Sequence, residues 1–139
     1  MKVWKGMMVL GLAVALVGSF ACSKGGKYGE AKELIGKTLT AMEDFVKAMD
    51  KATEAKAVAA ALNNFKDEMA AVKPKMMALD QKFPELKDET KVPEDIKPLM
   101  KKMEEMASKM MGASMKAYQF NQDPDVQKAQ EALNKVMQD

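Results

Sequence analysis

Residues 54–83 read EAKAVAAALNNFKDEMAAVKPKMMALDQKF. Apolar side chains recur at Val58, Leu62, Phe65, Met69, Val72, Met76, Leu79 and Phe83, in alternating steps of four and three. That period lays one stripe along an α-helix, and the 4-3 alternation is the heptad pattern of helices packed side by side. A strand would need apolar residues at every second position. Pro74 falls inside the stripe without breaking its register, so the spacing predicts one helix over 54–82, kinked near Ala70–Pro74, where the proline lacks an amide. Thr53 is expected to cap it, and Phe83-Pro84 to stop it.

The same pattern extends outward on both sides. Upstream, Ala31, Ile35, Thr38, Met42, Phe45, Met49 and Ala52 form a seam, widened by Leu34, Leu39 and Val46, and predict a helix over 28–51. Downstream, residues 84–92 read as a charged loop. A third helix is expected over 93–120, with Pro93 in its first turn and a seam of Ile96, Met100, Met103, Ala107, Met110, Ser114 and Ala117. Leu99, Met106, Met111 and Tyr118 flank that seam. Asp123-Pro124 is a helix-start signal, with the carboxylate as cap and the proline as first helical residue. It opens a fourth helix over 124–138 with the face Val126, Ala129, Leu133 and Val136. No stretch alternates like a strand. The fold class expected is all-α, an antiparallel up-down-up-down four-helix bundle with a short fourth helix.

The chain begins differently. Lys2 and Lys5 precede an uncharged apolar run, Gly6–Phe20, which ends at Ala21 and the only cysteine, Cys22. A basic head, a short apolar run and a small residue before the cut form an export signal. With a cysteine directly after that small residue, the segment resembles the lipobox of bacterial lipoprotein precursors. Ser19 stands where that pattern usually has Leu, Val or Ile. The resemblance implies cleavage after Ala21 and a diacylglycerol on the Cys22 sulfur. It also implies a membrane address in the cell envelope, with Ser23 looking like outer-membrane sorting toward the periplasm. Two alternatives stay open: an ordinary signal peptide cut at Ala21, leaving a free thiol, or an uncleaved anchor. As a helix, the run spans roughly 22 Å, short of a ~30 Å hydrocarbon core. The expected organisation is a leader at 1–21, a lipidated tether at 22–27 and a helical domain at 28–139.

Without residues 1–21, the remaining 118 residues carry 20 lysines, no arginine and 20 carboxylates. The formal charge of +2 thus comes from Lys2 and Lys5. A neutral chain without guanidinium groups is a poor match for nucleic acid or a phosphate clamp. There is no histidine, which removes the usual zinc sites, Ser-His and Cys-His nucleophile pairs and the Glu-x-x-His di-iron motif. Glu104-Glu105 and Asp67-Glu68 are adjacent in sequence and so diverge by about 100° on a helix, as a solvated face does. No catalytic residue, cofactor or metal site is expected.

The fourth helix is shorter than the second and third. One end of the bundle should therefore have three helices, bordered by Met76, Met77, Met100 and Met103. In one reading these methionines are core filler, and the 84–92 loop or the helix kinks cover the gap. In the other they line an apolar groove for a peptide, a partner helix, an acyl chain or a second copy. Cu(I) is a third candidate, because thioethers are soft ligands and Met100, Met103, Met106, Met110, Met111 and Met115 are dense. Those six spread over about 180° of helix, as core residues do.

Overall fold

The computed structural model describes residues 26–88 and 90–138. Four α-helices account for most of them: α1 (Gly29–Lys51), α2 (Ala55–Lys82), α3 (Lys97–Gln119) and α4 (Pro124–Gln138). A single-turn 3-10 helix, η1 (Pro84–Lys87), lies between α2 and α3, and no strand occurs among the described residues.

The stripe on α2 is its buried face. Val58, Leu62, Phe65, Val72 and Leu79 are buried, as is Phe83 beyond the helix end, while Met69 and Met76 are half-buried. The helix runs unbroken through Pro74. On α1, every seam residue expected from the spacing is buried except the half-buried Met42. The one polar side chain in this core, Thr38, donates its hydroxyl to the Leu34 carbonyl at 2.9 Å, so it carries no unpaired oxygen.

Three local expectations are corrected. Thr53 does not cap α2: Glu54 holds the cap position, and no side chain bonds there. Buried Ala52 lies in the short link between α1 and α2, and the first bonds of the helix run from the Ala57 and Val58 amides to the Glu54 carbonyl. Helix α3 starts at Lys97 rather than Pro93, because Pro98 has no amide to continue a ladder begun at Glu94. Residues 93–96 instead form a turn, with Ile96 N bonding the Pro93 carbonyl at 2.9 Å. The buried face of α3 is also rotated from the expected seam. Met106, Ala113 and Ala117 are buried, whereas Ala107 and Ser114 are exposed. The fourth start signal forms as expected: Asp123 Oδ1 accepts the amides of Asp125 (2.9 Å) and Val126 (3.3 Å), and Pro124 is the first residue of α4.

The chief neighbours of α1 are α2 and α3, and those of α2 are α1 and α4. Side-chain ties give the directions. Lys82 reaches Glu30 at 2.5 Å, so the end of α2 lies at the start of α1. Lys32 pairs with Asp95 near one end of α1, and Lys116 bonds the Asp50 carbonyl at 2.9 Å near the other, so α3 runs alongside α1 in the same sense. Lys73 bonds the Val136 carbonyl at 2.5 Å. The last turn of α4 therefore lies beside the middle of α2. At 1.5 Å per residue, α4 is about 22 Å long and α2 about 42 Å, so roughly the last third of α2 has no α4 beside it.

Two apolar clusters follow from this offset. The first joins Phe45 and Met49 of α1, Val58, Leu62 and Phe65 of α2, Ala113 and Ala117 of α3, and Val126 and Ala129 of α4. At its centre the Phe45 and Phe65 rings stack with centroids 4.7 Å apart. The second joins Leu34 and Ile35, Val72 and Leu79, and Ile96 and Met106, and is completed by Phe83 and Val92 from the connection before α3. Met42, Val46 and Met110 touch both clusters.

Candidate functional site

Cys22 and Ala21 lie outside the described residues. The methionine end lies within them. Met76 and Met100 line a gap together with Ile35, Leu79, Asp80, Leu86, Val92 and Ile96. Met103 packs half-buried against the same cluster. Met77 points away from it and is 39% exposed. The space left in the gap is about 10 Å³, the size of one water at most. Leu86, from η1, and Val92 fill the place that a longer α4 would have taken. Of the two covers expected for the gap it is thus the 84–92 loop, through its only two large apolar side chains, that closes it.

The segment over this gap is fastened by polar contacts. Glu85 Oε1 accepts the Lys27 ammonium at 2.9 Å and the Tyr28 hydroxyl at 2.8 Å. The hydrogen bond from Lys27, followed by the bonds from a backbone amide and from Tyr28, holds the Glu85 carboxyl down at about 2. The Lys27 ammonium is pushed up in turn, chiefly by Glu85 and then by Tyr28. The Tyr28 ring packs on Phe83 with centroids 5.2 Å apart. Further along, Asp88 Oδ1 accepts the Thr90 hydroxyl (2.6 Å) and amide (3.1 Å), and with Lys91 these hold its carboxyl at about 2.

A second hollow opens on the outer side of α1 and α2. It measures about 460 Å³, between Ala41, Ala48 and Ala61, with Asp44, Asp67 and Glu68 around it. Asn64 and the buried residues Phe45 and Phe65 complete its lining. On α3, Met111 (69% exposed), Met115 (68%) and Tyr118 (70%) stand in solvent rather than beside the seam.

The six methionines considered for copper do not converge. Met106 is in the core, Met100, Met103 and Met110 are half-buried, and Met111 and Met115 face outward. No group of three or more His, Cys, Asp or Glu among the described residues is placed to hold a metal ion. Glu104, Glu105, Asp67 and Glu68 are all exposed. No helix of the described residues is long and apolar enough to cross a membrane. No family model, curated protein or solved structure matches this chain.

Proposed function

We propose that the chain is a lipoprotein precursor whose mature form is a helical bundle anchored to a membrane of the cell envelope. On this reading, residues 1–21 are removed, Cys22 carries the acyl groups and residues 22–27 tether the bundle. It acts by binding or as a structural element, without catalysis. The outer membrane facing the periplasm is the proposed address. The observation that carries the reading is the placement of the only cysteine, immediately after Ala21 at the end of a basic-headed apolar run. The helix directions are consistent with a bundle whose chain alternates up and down, although α1 and α3 are neighbours running in the same sense.

The reading is tested by the mass of the N-terminal peptide isolated from membranes. The expected result is an acylated Cys22 as first residue, with Cys22→Ser moving the protein out of the membrane fraction. An unmodified Cys22 thiol in membrane-bound protein overturns it.

A second reading is supported by the methionine end: binding of an apolar chain between Met76 and Met100. A gap of about 10 Å³ admits no such chain as folded, so this reading requires the 84–92 segment to move.

A further inference from the structure

Several features converge where the chain enters the bundle. Gly26 has φ +69°, a left-handed conformation that suits glycine, and its carbonyl accepts the Gly29 amide at 3.2 Å. This turn sets Lys27 and Tyr28 over η1. Both side chains converge on one oxygen of Glu85, and the Lys27 ammonium also lies 4.9 Å from the Tyr28 ring centroid. Glu85 is next in sequence to Leu86, which occupies the apolar gap.

The backbone bonds of η1 and its flanks are short-range: Leu86 N to the Phe83 carbonyl (3.0 Å), Asp88 N to the Glu85 carbonyl (3.2 Å) and Lys91 N to the Asp88 carbonyl (2.8 Å). Among the described residues, what holds residues 84–88 to the helices is side-chain contact. The ties are Glu85 to Lys27 and Tyr28, Leu86 in the gap, and Lys87 with Asp80 at 3.6 Å. A segment without ladder bonds to its neighbours belongs to the part of a fold that opens locally, well before global unfolding.

We propose that residues 84–88, with Val92, form a strap that closes the three-helix end, and that Lys27 and Tyr28 latch it through Glu85. Moving the chain at 26–28 releases Glu85, lets Leu86 withdraw and uncovers Ile35, Met76, Ile96 and Met100. The position of the chain at 26–28 thereby controls access to the gap beside the part of α2 that α4 does not reach. The strap and its latch stand on these contacts alone and do not require Cys22 to be acylated.

The test is methionine oxidation by dilute peroxide, followed peptide by peptide on the full chain in detergent micelles. Glu85→Ala should oxidise Met76 and Met100 several-fold faster than the wild type, with Met49 and Met106 unchanged and exposed Met111 and Met115 equally fast in both. Lys27→Gln with Tyr28→Phe should reproduce the effect, and adding that pair to Glu85→Ala should produce no further increase, because all three act through one contact. Leu86→Ala should expose the same two methionines with the latch intact. Unchanged rates at Met76 and Met100 in Glu85→Ala overturn the proposal. So does an equal rise at Met49 and Met106, which would mean loosening of the whole core, or fully additive effects of the latch variants.

Discussion

Glu85 shows how one half-buried carboxylate can matter beside a core made of apolar contacts. Its carboxyl titrates near 2 in the fold, against an ordinary 4.5, because the charged form is held by Lys27, a backbone amide and Tyr28. A carboxyl lowered by folding adds stability above its unfolded value and loses it as pH falls through the folded one. The contribution of Glu85 is therefore whole above about pH 4.5 and gone near pH 2. Lys27 is cationic throughout that window, and Asp80, which pairs with Lys87, and Glu30, which pairs with Lys82, are the neighbouring carboxylates. Acid titration followed by the Tyr28 ring resonances should show a step in this window that disappears in Glu85→Gln. Asp88 also titrates near 2, so Asp88→Asn should leave the Tyr28 step in place. The Asp123 cap is the second single-residue device. Asp123→Ala removes the acceptor of two amides and should cost about 1 kcal/mol in chemical unfolding. This cap was legible in the sequence because Asp-Pro has one common use at a helix start. The latch was not, since nothing in the sequence marks that Lys27 and Glu85, 58 positions apart, meet.

The elements differ in how plainly their faces can be read. The large apolar residues of α2 form a single narrow stripe, with Met77 the exception outside it and polar or small residues elsewhere, so one face is buried and the expected seam is the observed one. On α3, Leu99, Met100, Met103, Met106, Ala107, Met110, Met111, Ala113, Met115, Ala117 and Tyr118 cover more than half the circumference. Period alone then permits several seams, and the choice is made by packing: α1 is the chief neighbour of α3, and the arc of Met106, Met110, Ala113 and Ala117 is turned into the clusters. The arc through Met111, Met115 and Tyr118 is left in water. The two arcs predict opposite outcomes for the same substitution. Met106→Lys puts a charge among Leu34, Val72 and Ile96 and should cost several kcal/mol, on the order of 3 or more, since a buried unpaired charge is among the severest single changes. Met111→Lys should fall within about 0.5 kcal/mol of wild type. Urea unfolding of the two variants compares them directly. Equal losses would return the buried face of α3 to the seam through Ala107 and Ser114.

At the scale of the molecule, the offset of α4 divides the interior into two clusters, and the connection between α2 and α3 finishes the one that α4 does not reach. The number of helices was legible, because each has its own start signal or stripe, but the length of α3 was not, since Pro98 delays its start to Lys97. The sequence left open whether the 84–92 loop or the helix kinks cover the gap, because two apolar residues among charged ones also resemble a solvated loop, and the placement of Leu86 and Val92 decides for the loop. Whether the two clusters behave as one core depends on the side chains they share. Met42, Val46 and Met110 each pack against both, and α1 and α2 run through both. A helix cannot melt at one cluster without ending its ladder inside the other, so a large loss at one end should be felt at the far end. Phe65→Ala removes one ring of the Phe45–Phe65 stack and should cost about 3–5 kcal/mol, the usual range for emptying an aromatic site in a core. If the clusters form one unit, heating this variant gives a single transition by circular dichroism at a lower midpoint. Amide exchange at Leu34, Ile35 and Leu79, in the other cluster, should then accelerate along with that at Leu62. Two transitions, or faster exchange confined to the Phe65 cluster, would instead make the strap end a separate unit with its own stability.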